Sequence, residues 1–419
     1  MSRQRLSTMI GKGVKKMARL RGGGSALPGL VIENIDPNFM QRTLSQLPHG
    51  VVVISGTNGK TTTTKIVVEL LESIGLKVFT NRTGSNFSRG VIAALLDAVD
   101  IHGKLHADIA VLELDEAWAV KFVEKVPPRF SLLLNVMRDQ LDRFGEIDTT
   151  AKMLEKIAMA TTEAVVMNRD DQRIFAIHKQ IAAKPVFFGA TTELLELMPT
   201  DDHLKSGGGK ANSKVHADVL LTKIDSQQAT FKINDTPSTV KTQLTGVYNL
   251  LNAAAALTLV RCISDSHTEQ FLTALQTIQP AFGRGETIMI DGKPIELILV
   301  KNPSGFRLAL LSFAKKSAAR MIAINDNYAD GRDMSWLWDV DFSMLKSVAM
   351  VSGVRAYGMA LRLQYDDVKM KHVEQRLDKA LDIFLAENKD MPKQIFCSYT
   401  AMLTLRTLLS KKTKVEKIR

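Results

Sequence analysis

Cysteine is almost missing from this chain: Cys262 and Cys397 are the only two in 419 residues. They lie far apart and form no Cys-x-x-Cys pair, which excludes a disulfide framework and a thiolate metal site and fits a reducing cytoplasm. Aromatic residues make up only 6%, with three tryptophans and five tyrosines. Neither an aromatic RNA-binding motif nor zinc-finger spacing occurs, so nucleic acid is not the expected partner despite a formal net charge of +11. Nucleotide phosphates or an anionic membrane surface suit that charge equally well. No apolar run reaches the ~18 residues of a transmembrane helix. At 419 residues the chain is too long for one ordinary core, and two or three domains are expected. Acids are absent from residues 1–22, which carry Arg3, Arg5, Lys12, Lys15, Lys16, Arg19 and Arg21. Leu6, Met9, Ile10, Val14 and Met17 recur there at helical spacing, so a basic amphipathic helix is expected, with a solvated terminus or a transit peptide as the other readings. Gly22-Gly-Gly-Ser-Ala-Leu-Pro28 then reads as a linker.

What is present is organised around Val51-Val-Val-Ile-Ser-Gly-Thr-Asn-Gly-Lys-Thr-Thr-Thr-Thr-Lys65. The β-branched run reads as a buried strand, the chain breaks at Gly56 and Gly59, and Ile66, Val67, Leu70, Leu71 and Ile74 resume at helical spacing. A strand, a glycine-bearing turn, Lys-Thr and a helix start make a phosphate cradle. Lys60 supplies charge to the β/γ-phosphates, and the Thr61 hydroxyl is placed to ligate Mg²⁺. The general motif has Gly five residues before its Gly-Lys, where this chain has Ile54, so a shorter variant is present. Strands are expected at 77–80, 108–114, 130–134 and 164–167, alternating with helices as in a parallel, doubly wound sheet. Such sheets bind ligands at the carboxyl ends of their strands. Polar clusters stand there: Glu113-Leu-Asp-Glu116, Asn135-Val-Met-Arg-Asp139-Gln140-Leu-Asp142-Arg143, and Asn168-Arg-Asp170-Asp171. Any one acid also reads as a turn or helix cap; the conjunction points to a Mg²⁺-nucleotide site.

Strand-like stretches at 215–222 and 229–233 follow the loop Ser206-Gly-Gly-Gly-Lys210 and suggest a β-hairpin insertion. A second α/β domain is expected from about Ile288. It contains Asn325-Asp-Asn-Tyr-Ala-Asp330-Gly-Arg332-Asp333-Met-Ser-Trp336-Leu-Trp338-Asp339.

Gly56-Thr-Asn-Gly-Lys-Thr62, the 135–143 string, Asn168-x-Asp-Asp171, Tyr-Asn-x-x-Asn at 248–252, Gly-Arg at 283–284 and Asp-Gly-Arg-Asp at 330–333 resemble the Mur ligase superfamily. Within it they are most similar to the MurT family, ligase subunits of lipid II isoglutaminyl synthases. The resemblance runs from about residue 25 to 405. It implies an α/β, Mur ligase-like central parallel-sheet ATPase domain with a β-hairpin insertion, plus a smaller C-terminal α/β domain. The expected boundaries are 1–50 for the basic helix and linker, 51–287 for the ATP-binding domain with its insertion at about 190–240, and 288–419 for the C-terminal domain.

The resemblance also implies the chemistry. ATP would phosphorylate the α-carboxylate of D-glutamate in the lipid II stem peptide, and ammonia from a GatD-like glutaminase partner would convert the acyl phosphate to D-isoglutamine. The nucleotide residues it implies are Gly56, Thr57, Asn58, Gly59, Lys60, Thr61, Thr62, Asn168, Asp171, Asn252, Arg284, Asp330 and Arg332. Thr61 and Glu113, with Glu116 as the alternative, would hold Mg²⁺. Asp333, or else Asp339, would complete the glutaminase Cys–His pair, and either also reads as a helix cap. Trp336 and Trp338, if exposed, fit a partner surface. Three departures refine the expectation. The phosphate loop begins near residue 55, leaving no room for a UDP-binding domain before it. Gln140 stands where relatives often have a metal-site His. The 190–235 region lacks the four cysteines of the family's zinc ribbon, so no zinc is expected. The second reading is a free-standing ligase of the folylpolyglutamate synthase type. The expected location is the cytoplasm, at the inner face of the membrane where lipid II resides.

Overall fold

The computed structural model describes residues 3–20, 27–81, 88–137, 147–196, 214–225, 227–244, 246–279, 284–314 and 317–413. The expectations for Asp139, Gln140 and Asp142, for the Ser206–Lys210 loop and for most of the Gly22–Pro28 linker lie outside those residues. The chain forms two compact units, the first drawn from residues up to Gln279 and the second mainly from Pro280 to Arg419, with Met137–Gly145 and Leu197–Gly208 also assigned to the second.

The first unit is built on one nine-stranded sheet, ordered β2-β3-β1-β4-β5-β6-β7-β8-β9. Its strands are β1 (Val51–Ser55), β2 (Val78–Thr80), β3 (Ile109–Glu113), β4 (Phe130–Leu133), β5 (Ala164–Asn168), β6 (Lys184–Ala190), β7 (Val219–Asp225), β8 (Gln228–Ile233) and β9 (Thr236–Lys241). Strands β2 to β7 run parallel. Every residue of β1 is buried, with Val53 paired to Leu112 on one side and Ser131 on the other. Burial on both faces is why these strands read as continuous β-branched runs. The expected hairpin is present as β7 and β8, and β9 extends it to a three-stranded antiparallel meander whose β7 continues the main sheet through β6. Sequence reading missed β6, whose exposed opening residues Lys184-Pro185 look like loop.

The expected N-terminal helix is α1 (Arg3–Leu20), followed by α2 (Leu27–Ile35) and α3 (Phe39–Leu44). They pack on the first unit through α5 (Ser88–Ala98), after α4 (Lys60–Ser73) in the chain. A Cβ at Gly11 would lie 2.5 Å from the Leu96 Cδ2 of α5, so only glycine allows this approach.

The second unit carries a six-stranded sheet ordered β10-β11-β15-β12-β13-β14. Its strands are β10 (Arg284–Ile290), β11 (Lys293–Leu299), β12 (Ala319–Ala323), β13 (Ser347–Ser352), β14 (Lys369–Glu374) and β15 (Lys393–Cys397). Only β10 is antiparallel, joined to β11 by a turn with positive φ at Asp291 and Gly292. The boundary expected at 287 therefore falls inside a strand: residues 284–287 belong to the edge of the second sheet. Edge strand β14 escaped notice because exposed charged residues recur along it and none of its residues is fully buried.

Asp36 ties α1 to the rest of the unit. It accepts from Ser7 Oγ at 2.6 Å and from Arg42 Nη1 at 3.0 Å, and its side chain is buried. Burial pushes its pKa up, but the hydrogen bonds from Arg42 and Ser7 and the arginine charges outweigh this and hold it below the usual carboxylate range. Its stabilising contribution is therefore complete above the unfolded pKa of about 4 and is lost as pH falls through the lower folded value. Asp36→Ala should lower unfolding free energy by about 2 kcal/mol at neutral pH. Urea titration should show that loss, and limited proteolysis should show faster cutting within α1; equal protection in variant and wild type would refute the tie.

Candidate active site

The loop after β1 turns at two glycines. Gly56 has φ +131° and Gly59 has φ +91°, a region L-residues disfavour. Space demands glycine as well: a Cβ at residue 59 would lie 2.5 Å from Asn252 Oδ1, and one at residue 56 would lie 3.0 Å from the Asn135 backbone N. Gly59 precedes the first turn of α4 and supplies no side-chain cap. The opening N–H groups of a 14-residue helix, with the positive end of its dipole, thus face the loop.

Asn135, just past β4, braces this loop. Its Oδ1 accepts from Asn58 N at 2.9 Å, and its Nδ2 donates to Asn58 O at 2.9 Å and Tyr248 Oη at 3.1 Å. Its backbone carbonyl accepts from Thr57 N at 3.0 Å. Lys60 Nζ lies over the turn, donating to Gly56 O at 2.6 Å, with Glu116 Oε1 at 3.4 Å. Thr61 Oγ1 donates to Glu113 Oε1 at 2.9 Å. Asn81, just past β2, locks Glu113 by two backbone hydrogen bonds of 2.8 and 2.9 Å. Gly56, Thr57, Asn58, Gly59, Lys60, Thr61, Glu113, Glu116 and Asn252 therefore come together, as the strand-end rule anticipates.

These residues fit a magnesium nucleotide. Asn252 is buried, and its Nδ2 has no hydrogen-bond partner in the protein, an unmet donor beside the phosphate loop. Among the described residues no three His, Cys, Asp or Glu side chains gather as a metal cluster. A hydroxyl and one carboxylate, completed by phosphate oxygens and water, are what Mg²⁺ takes.

Other expected residues serve the frame. Asp171 is partly buried and accepts from Val136 N at 2.7 Å and from Arg173 N and Ile174 N at 3.0 Å, joining the ends of β4 and β5. Burial raises its pKa, against the three N–H donors that favour the carboxylate. Asn168 Oδ1 accepts from Asp170 N at 3.0 Å.

In the second unit, Asp330 is buried and accepts from Thr400 N at 2.7 Å, Thr400 Oγ1 at 2.5 Å and Asn327 N at 3.1 Å. It thereby fixes its loop to the start of the helix Tyr399–Ser410. Arg332, Asp333 and Asp339 are exposed along that loop. Asp333 accepts from Ser335 N at 2.8 Å, and the backbone and side-chain hydrogen bonds of Ser335 hold it below the usual carboxylate range, so it stays ionised. Trp336 packs on Phe306, whereas Trp338 is half-exposed and meets the ring of exposed Tyr365 at 5.2 Å. Tyr357, Leu361 and Tyr365 form an exposed stripe on the helix Ala356–Tyr365. Arg284 opens β10, and its side chain lies outside the described residues.

Sequence reading gave Asn135 and Tyr248 no role and missed Asn81. Asn81 follows β2 as the site acids follow β3, but a three-residue strand was too short to draw attention to its end.

Two family models match the chain, the Mur ligase middle domain over residues 54–260 and the MurT ligase C-terminal domain over residues 299–402. The chain is similar to the lipid II isoglutaminyl synthase (glutamine-hydrolyzing) subunit MurT of Streptococcus pneumoniae R6, at 30% identity covering 94% of each chain. It is also similar to the subunit of the same name from Staphylococcus aureus COL, at 26% identity covering 98% of each. In fold it is similar to MurF ligase from Thermotoga maritima, solved in complex with ADP, with a TM-score of 0.69 and 18% identity over 92% of this chain and 84% of that one.

Gly59→Ala combines backbone strain with displacement of Asn252. It should weaken ATP binding at least tenfold, read by isothermal titration, while leaving the fold intact by circular dichroism. Unchanged affinity would show that phosphates do not enter this loop. Asp171→Ala leaves three backbone donors unmet and should cost about 2–3 kcal/mol in urea unfolding.

Proposed function

The chain belongs to the MurT family of Mur ligases, ATP-dependent carbon–nitrogen ligases, and from that premise we propose that it amidates the D-glutamate α-carboxylate of the lipid II stem peptide to D-isoglutamine. The observation that carries this reading is the glycine cradle with Lys60, Thr61 and Glu113 gathered at the end of β1. The match to the MurT C-terminal domain favours it over a folylpolyglutamate-type ligase.

The substrate carboxylate oxygen attacks the γ-phosphorus of ATP, ADP leaves, and an acyl phosphate forms. Ammonia then attacks the carbonyl carbon, inorganic phosphate departs, and the amide remains. The Lys60 ammonium stabilises charge on the moving phosphoryl group. Thr61 and Glu113, with Glu116 as the alternative carboxylate, would hold Mg²⁺, which would supply Lewis-acid neutralisation of phosphate charge. The α4 N–H groups and Asn252 Nδ2 orient the nucleotide, with Asn135 keeping the loop in shape. The family resemblance also gives Arg284, Asp330 and Arg332 nucleotide roles, and within its own unit Asp330 holds the loop that carries Arg332.

Ammonia comes from a GatD-like glutaminase subunit. Asp333, exposed and kept ionised by Ser335, is our first choice for the acid that orients the glutaminase histidine; Asp339 is the second. The half-exposed Trp338 and the stripe Tyr357, Leu361 and Tyr365 suit a docking partner, since buried aromatics dominate interface energies. Among the described residues no helix is long and apolar enough to cross a membrane. The enzyme works at the cytoplasmic face of the bilayer, as a peripheral protein.

The test is ATP-dependent amidation of lipid II in detergent, with ammonium chloride or glutamine, with and without a glutaminase. Product should form with ammonium alone, and with glutamine only when the glutaminase is added. No product in any arm would overturn the reading; glutamine-driven product from the isolated chain would remove the partner. Lys60→Ala should slow the ammonium reaction about a hundredfold or more. Asp333→Asn should abolish the glutamine reaction and spare the ammonium one, and loss of both would move Asp333 to the nucleotide site.

A further inference from the structure

Helix α1 is mounted with its polar side inward. A surface helix ordinarily turns its apolar stripe to the core. In α1 the inward side carries Gln4, Ser7, Thr8, Gly11, Lys15 and Ala18, with Ile10 packed against the core at its border and Val14 partly buried, while Leu6, Met9 and Met17 are 48%, 51% and 58% exposed.

The inward side is held by polar bonds. Besides the Ser7–Asp36 bond, Gln4 Nε2 donates to Thr43 Oγ1 at 2.8 Å. Lys12 Nζ donates to Val99 O at 2.7 Å, and Lys15 Nζ to Ala93 O at 3.1 Å and to Asp97. Rolling the helix to bury its apolar stripe would break all of these. Leu6, Met9 and Met17, the outer half of the apolar stripe, are thus fixed outward, with Gly13 between them and exposed Arg5 and Lys16 along one flank. No acid occurs before Glu33, so the whole segment is cationic. An apolar strip of this width with a basic flank and no acid complements one surface, the headgroup boundary of an anionic bilayer.

We propose that the outward face of α1 docks the protein on anionic lipid, with Leu6, Met9 and Met17 entering the acyl boundary and Arg5 and Lys16 facing the headgroups. This deepens the proposed function, which requires access to a lipid-linked substrate. The test contains neither substrate, nucleotide nor glutaminase, so the two readings fail separately.

The full chain is sedimented with phosphatidylcholine vesicles, with and without phosphatidylglycerol. Binding should require phosphatidylglycerol and weaken with salt. Leu6→Ser/Met9→Ser/Met17→Ser should lower vesicle affinity at least tenfold. Arg5→Glu/Lys16→Glu should do the same. Both variants should keep the wild-type melting temperature and ammonium-driven turnover in detergent, since these side chains lie outside the core. Should the serine variant fail to fold, the charge reversal alone decides. Wild-type protein that stays in the supernatant with every vesicle overturns the proposal, as does equal sedimentation of the variants. A change of oligomeric state in the serine variant, with vesicle binding unchanged, assigns the face to a second copy of the chain and also overturns it.

Discussion

The left-handed turn at Gly59 sets the geometry of the first unit. Its backbone passes so close to Asn252 that no side chain fits, and it aims the start of α4 at the space where phosphates would lie. That approach exists only because the helix Val247–Ile263 brings Asn252 against the loop, and that helix is buried from Leu250 to Val260. Its alanine run, Ala253 to Ala256, is fully buried and lets α4 lie close to it. Residues two hundred apart in sequence thus depend on one another through a gap narrower than a methyl group.

The charges at the strand ends obey the same economy. A lysine and two glutamates sit at a largely buried loop, which is tolerable only if each is hydrogen-bonded. Thr61 and Asn81 fix Glu113, and the turn's own carbonyls hold Lys60 beside Glu116. Under the proposed function this hydrogen-bonded loop would meet a polyanion and a divalent cation with little rearrangement as charge develops on a transferred phosphoryl group. Asp171 and Asp330 bond backbone N–H groups in their separate units, so their effect on the site runs through the position of the loops they cap.

How much of this was legible depended on locality. The cradle was readable because strand, glycines, Lys-Thr and helix are contiguous, and the acids of β3 were readable because buried parallel strands end at ligands. The pairing of Thr61 with Glu113 was implied by the family resemblance, and the strand-end rule agrees with it. The wedge of Asn252 against Gly59 was not legible, because no pattern in the sequence reports a distance across the fold. The strands misread were those with a weak apolar signal: β6 opens with exposed Lys-Pro, β14 alternates charged residues with Met370 and His372, and β10 begins with the Arg-Gly-Glu string that looked like a domain end. Burial on one side only, or none, erases the apolar signal by which strands are recognised.

Helix α1 makes the limit of that signal plain. Its apolar period correctly indicates a helix, yet the usual inference from period to packing holds only in part: Ile10 packs on the core, whereas Leu6, Met9 and Met17 face outward. Periodicity reports that two faces differ; it does not say which face meets protein. Here the choice is made by Asp36 and the carbonyls of Ala93 and Val99, which accept from Ser7, Lys12 and Lys15. A buried carboxylate without a donor costs more than three partly exposed apolar side chains, so the polar face wins the core. The apolar face is then left to whatever lies outside the protein, and its basic flank restricts that to an anionic surface.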